Sequence, residues 1–204
     1  MHIALFGTSA DPPTMAHQQI LVWLSHHYDQ VAVWASDNPF KSHQTPLEHR
    51  TRMLRLLIEE IDPPRRTIQL HPELSDPRAL ATVERAGDRW PTATFTYVIG
   101  SDLVAQLPRW YRVADLLQQV KLLVVRRPGY ALEDRDLAEL RQLGAEVAIA
   151  DFQGLEVSSS AYRSAKDADL VARPIEDYIH REHLYDAQHE CQDDAPKSLT
   201  PSGH

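Results

Sequence analysis

Residues 2–17 read HIALFGTSADPPTMAH, and the fold turns on how this run divides. The apolar segment 3–6 has β-branched and aromatic residues without strict alternation, as expected of a strand covered on both faces. It gives way at once to Gly7, which permits close backbone approach or a positive φ. Thr8, Ser9 and an Asp-Pro-Pro corner follow, and the prolines suit the entry to a helix. Thr14 and His17, three apart, then share one face of the first helical turn. Free N–H groups and the positive dipole end at that point favour an anion. On spacing alone two readings stand. Thr14 caps the helix and His17 packs on the sheet, or hydroxyl and imidazole together donate to phosphate oxygens.

The pattern of 3–6 recurs. Segments 31–35, 95–99, 122–125 and 147–150 are short apolar runs of the same kind, and 67–70 reads as an alternating or edge strand. Helical patterns separate them. Met53, Leu56, Leu57 and Ile61 define an apolar stripe, with Glu48, Arg52 and Arg55 for the wet face. Leu137, Leu140 and Gly144 suggest a helix stopped by glycine. Pro174 suits the first turn of a last helix that turns Ile175, Tyr178 and Ile179 inward. The stretch 75–94, SDPRALATVERAGDRWPTAT, reads as a helix followed by a turn and loop. Strands alternating with helices predict an α/β fold: a doubly wound, Rossmann-like parallel sheet with helices on both faces. Residues 1–185 read as one domain, and 186–204, with little to bury, as a disordered tail.

Composition narrows the partners. A formal net charge of -8 argues against broad nucleic-acid binding or attraction to an anionic membrane, so an anionic ligand needs a local cationic cluster. No apolar run approaches the roughly 20 residues of a membrane span, and the first residues lack a signal-type pattern, so the expected location is cytoplasmic. The single cysteine, Cys191, cannot form an internal disulfide. No exposed apolar seam stands out, which leaves the oligomeric state open.

In an open parallel sheet, ligands collect at the carboxyl ends of the strands. Three notable stretches follow strands directly: residues 7–17, residues 36–41 (SDNPFK) and residues 100–102 (GSD). A fourth, residues 155–163, reads LEVSSSAYR. There Ser158 and Ser159 can cap a helix and offer hydroxyl and N–H groups, and Arg163, one turn on, can reach the same anion.

The motif D11-P-P-T14-M-A-H17 resembles the (H/T)-x-G-H signature of the nucleotidylyltransferase superfamily, with Ala16 where glycine is usual. Residues 155–163 resemble its second signature, I-S-S-T-x-I-R. Between them, residues 35–41 (ASDNPFK) and the LEHRTRML that starts at Leu47 are similar to the N-P-x-K and E-x-R-x-x-M-L segments of nicotinate (nicotinamide) mononucleotide adenylyltransferases. Residues 97–102 (YVIGSD), LPRW ending at Trp110, VVRRPG ending at Gly129 and IEDYIHREHLY ending at Tyr185 complete the resemblance. The family's Y-T-x-D-T-L is degraded here, with Thr82 aligned to its second threonine.

The resemblance implies adenylyl transfer from ATP to nicotinate mononucleotide in NAD biosynthesis, with ATP and a pyridine mononucleotide as partners. It implies Thr14, His17 and Arg163 at the reacting phosphates, and Gly7, Thr8, Ser9, Gly100, Asp102, Ser158 and Ser159 around ATP. Asn38, Lys41, Thr82 and Trp110 would then meet the mononucleotide. Mg²⁺ would arrive with ATP, since the sequence shows no dedicated carboxylate cage and no protein metal ligand is assigned. The alternatives are another nucleotidylyltransferase of this fold, of the nicotinamide mononucleotide or pantetheine-phosphate type, or a non-catalytic nucleotide-binding regulator.

Overall fold

The opening apolar run forms β1 (His2–Thr8), and the Asp-Pro-Pro corner carries the chain into α1 (Met15–His27). The computed structural model describes residues 1–37, 44–152 and 154–186. Asn38 and Lys41, and all but the first residue of the expected tail 186–204, therefore lie outside the described residues. After α1 come β2 (Gln30–Ala35), α2 (Leu47–Glu59), β3 (Ile68–Leu70), α3 (Ala79–Arg89) and β4 (Thr94–Gly100). A 3₁₀ segment (Ser101–Arg109) leads to α4 (Val113–Gln119), β5 (Lys121–Val125), α5 (Asp134–Gln142) and β6 (Val147–Ile149). The described chain ends with α6 (Ser159–Ala165) and α7 (Arg173–Arg181).

The strands make one parallel sheet in the order β3-β2-β1-β4-β5-β6. This is the doubly wound arrangement that strand–helix alternation predicted. Successive side chains point to opposite faces, so each of the four inner strands feeds two cores. Ile3, Leu5, Ala32, Trp34, Tyr97 and Leu122 face α3, α4 and α5. Ala4, Phe6, Val31, Val33, Val98 and Leu123 face α1, α2 and α7. Each fully buried Leu or Ile contributes roughly 1.5–3 kcal/mol over an exposed one, so both cores hold the sheet's ends in place. Among the described residues, no helix is long and apolar enough to cross a membrane.

Most elements fall where the sequence placed them. Gly144 closes α5 with φ 93°, and Pro174 enters the first turn of α7 with Ile175, Tyr178 and Ile179 buried. Two expectations are corrected. The inner stripe of α2 is Arg50, Met53, Leu54 and Leu57, a rotation from the expected face that leaves Leu56 half-buried; Ile61 is buried beyond the helix end. Segment 147–150 was expected to be covered on both faces. Instead β6 is an edge strand in the described sheet, and Ile149 is 38% exposed, so its face of the strand is left partly uncovered.

Candidate active site

β1 pairs with both β2 and β4, and the chain leaves β1 toward one edge of the sheet and β4 toward the other. Their carboxyl ends therefore open into a crevice at the switch point. Loop 7–14 emerges on one lip of it and Gly100, Ser101 and Asp102 on the other.

On the first lip, Thr14 is the N-cap of α1 and is fully buried. Its backbone N–H donates to His17 Nδ1 at 3.0 Å, and its hydroxyl lies 2.9 Å from the same nitrogen. A backbone N–H can only donate, so Nδ1 accepts and the neutral ring carries its proton on Nε2. Of the two readings that spacing left open, the capping one describes Thr14, which holds the N-cap position. Thr14 caps the helix and, by the same contact, makes His17 a donor at Nε2.

The second signature folds onto this loop. Ser158 is the N-cap of α6, and its Oγ accepts the Ala161 N–H at 3.1 Å. The Ser159 hydroxyl donates to the Pro12 carbonyl oxygen at 2.8 Å, across 147 residues of chain. The Arg163 guanidinium donates to the Asp11 carbonyl oxygen and, at 3.3 Å, to Ser160 Oγ. Loop 11–14 and the start of α6 are therefore one construction, with the Arg163 cation docked against it. The Ser159 proton is thereby committed to the protein, whereas Ser158 Oγ acts as an acceptor.

Gly7 is required by close approach rather than by a positive φ. A Cβ there would come 2.5 Å from the Trp34 indole, whose residue pairs with Gly7 across the sheet. The Thr8 carbonyl accepts the Ser36 N–H at 2.8 Å, and the Ser9 carbonyl accepts from Arg50. On the other lip, a Cβ on Gly100 would meet Asp102 Oδ1 at 2.3 Å and Arg127 Cδ at 2.7 Å. The space over Gly100 thus holds an ion pair: Arg127 donates to Asp102 Oδ2 at 2.8 Å. Asp102 Oδ1 is buried and accepts no hydrogen bond among the described residues.

Trp110 follows the 3₁₀ segment, half-buried, its ring edge-on to Tyr97 with centroids 6.2 Å apart. Its Nε1 is also buried without a partner among the described residues. At the next residue, the exposed Tyr111, the Arg78 guanidinium lies 4.8 Å from the ring centroid. Thr82 does not join this group. It sits in α3 as a core residue, its hydroxyl donating to the Leu74 carbonyl oxygen at 2.9 Å.

Three residues without a sequence assignment complete the site. Arg50 is buried, donating from Nε to the Thr45 carbonyl at 2.7 Å and from one terminal nitrogen to the Ser9 and Ser36 carbonyls at 3.1 and 2.6 Å. It joins the exits of β1 and β2 to the loop before α2. Burial pulls its pKa below the ordinary arginine value, opposed by the carboxylates of Asp11 and Asp37. The signal was legible: Arg50 lies one turn before Met53, on the apolar stripe. Arg127 was part of a quoted motif but had no partner until the fold brought Asp102 to it. Asp11, 6% exposed, is the third.

A family model described as cytidylyltransferase-like matches residues 5–165. A probable nicotinate-nucleotide adenylyltransferase from Synechocystis sp. is 44% identical over 198 residues, covering 91% of this chain and 99% of that protein. Another, from Bacillus pumilus, is 30% identical over 91% of this chain and 98% of that protein. Among solved structures, the Plasmodium falciparum nicotinic acid mononucleotide adenylyltransferase complexed with NaAD superposes with a TM-score of 0.76. That match spans 90% of this chain and 97% of the other at 19% identity, a likeness of fold.

Proposed function

The chain belongs to the cytidylyltransferase-like family, among the nicotinate-nucleotide adenylyltransferases, and on that premise we propose how its residues make nicotinate adenine dinucleotide. The reaction joins ATP to nicotinate mononucleotide and releases pyrophosphate, a step of NAD biosynthesis. The observation that carries this reading for the site is the union of loop 11–14 with α6, through Ser159 on Pro12 and Arg163 on Asp11.

A phosphate oxygen of the mononucleotide attacks the α-phosphorus of ATP. The new oxygen–phosphorus bond forms as the bond to the departing pyrophosphate breaks, with both oxygens in line. The attacking phosphate is already ionised near neutral pH, so no general base is needed. The protein's task is positioning and stabilisation of spread negative charge. His17 donates from Nε2 to the reacting phosphate, and Thr14 holds its ring in that tautomer. Arg163 turns its remaining N–H groups to the phosphates while its bond to Asp11 keeps it in place. Backbone groups of 7–9 and of the start of α6 line the same anion.

Asp102 Oδ1 accepts from a ribose hydroxyl. Trp110 offers its face to the pyridinium ring, a cation–π contact favoured by the ring's positive charge. Arg78 supplies a cation for the nicotinate carboxylate, which the amide analogue cannot use. Asn38 and Lys41 are assigned to the mononucleotide on sequence grounds alone. Mg²⁺ enters bound to the ATP phosphates, as part of the substrate, where it neutralises charge on the departing pyrophosphate. Among the described residues, no group of three or more His, Cys, Asp and Glu stands close enough to hold a metal. The same reading places the reaction in the cytoplasm.

The test is pyrophosphate release from MgATP with a panel of acceptors: nicotinate mononucleotide, nicotinamide mononucleotide and pantetheine phosphate. The expected result is fastest turnover with nicotinate mononucleotide. Turnover with pantetheine phosphate alone, or ATP binding without turnover, would overturn the reading.

A further inference from the structure

The chain's last described turn returns to the loop that precedes α1. The Tyr185 hydroxyl donates to Asp11 Oδ1 at 2.6 Å, joining positions 174 residues apart. The other Asp11 oxygen accepts the Thr45 N–H at 3.3 Å, and its carbonyl oxygen receives the Arg163 guanidinium. A buried carboxylate is costly unless its lone pairs are met, so Tyr185 is part of what lets Asp11 sit 94% covered beside the phosphate loop.

Backbone conformation at both ends of this bond is uncommon. Ala10, directly before Asp11, has φ 47°, and His183 and Tyr185 have φ 52° and 60°. A non-glycine residue in the left-handed region costs on the order of 1–2 kcal/mol and persists where its surroundings over-determine it. Tyr185 is held three ways besides its hydroxyl. The Lys166 ammonium donates to its carbonyl oxygen, lies 5.4 Å from its ring centroid, and Tyr162 packs edge-on at 6.1 Å. Burial, then the bond to Asp11, raises the hydroxyl pKa well above the ordinary tyrosine value, so the donor keeps its proton.

We propose that Tyr185 is a positioning residue for adenylyl transfer: its hydroxyl, through Asp11, sets the conformation of loop 9–13 and hence the place of Thr14, His17 and Arg163 at the ATP phosphates. The turn after α7 thereby belongs to the ATP site, although Tyr185 itself touches no substrate. The inference rests on loop 7–17 being the ATP site.

Tyr185→Phe keeps the ring and removes the donor. Hydrogen bonds to charged groups are worth about 1.5–3 kcal/mol, so the KM for ATP should rise roughly tenfold or more. The KM for nicotinate mononucleotide should stay within about twofold, and the melting midpoint should fall by roughly 3–12 °C. Lys166→Met, which loosens Tyr185 but leaves its hydroxyl, should move the KM for ATP in the same direction by less. An unchanged KM for ATP in Tyr185→Phe overturns the inference, as does a parallel rise of both KM values, which marks a merely structural role. A wild-type protein that makes no dinucleotide overturns the underlying reading of the site instead.

Discussion

At His17 the question is which ring nitrogen carries the proton. Spacing put Thr14 and His17 on one face of a helical turn, which served a capping reading and a phosphate reading equally. The 3.0 Å bond from the Thr14 N–H to Nδ1 decides the tautomer, and a tautomer is invisible in a sequence. Trp110 shows the same division. Its place in LPRW, shortly after YVIGSD, was legible from the resemblance, but its edge-on contact with Tyr97 and its Nε1, unpartnered among the described residues, were not. If the ring of the mononucleotide stacks on it, Trp110→Ala should raise the KM for nicotinate mononucleotide roughly tenfold and leave the KM for ATP nearly unchanged. Initial-rate kinetics with each substrate varied in turn would show this, and an unmoved mononucleotide KM would count against stacking. Thr82 marks the limit of reading by alignment: α3 turns its hydroxyl to Leu74, and nothing in the motif reveals which way a helix faces.

Elements were easier to find than to orient. Hydrophobic periodicity located α2 but set its inner face around Leu56, because an arginine is not counted as an inward residue. Arg50 occupies that stripe and is sheltered because three carbonyl oxygens, from Thr45, Ser9 and Ser36, take its protons. A buried arginine is tolerable only when so satisfied. Replacing it with a flexible apolar chain of similar length strips donors from all three. Arg50→Met should therefore lower unfolding stability by roughly 3 kcal/mol, read as a shift of the urea midpoint. A loss below about 1 kcal/mol would mean that water replaces the guanidinium there. At the sheet's margin, β6 has the apolar composition of a covered strand yet is exposed at Ile149. Edge position is a property of topology, which composition does not record.

At the scale of the whole molecule, strand–helix alternation was enough to predict a doubly wound sheet, and the order β3-β2-β1-β4-β5-β6 follows that pattern. The sequence also contained both phosphate signatures. What it could not contain was their contact, since Ser159 and Pro12 are 147 residues apart and meet only when β1 lies central and α6 crosses back to it. The formal net charge of -8 makes that contact matter: an acidic protein attracts ATP only where cations such as Arg163 are gathered against the general field. The central claim is that loop 11–17 and α6 form one site for the reacting phosphates. The most direct measurement is the kcat for dinucleotide formation by His17→Ala, with circular dichroism on the same sample. Losing one preorganised donor at the transition state costs about 10²–10³ in rate, so the account predicts a fall of that size with an unchanged spectrum. A near-normal kcat with a normal spectrum would contradict it.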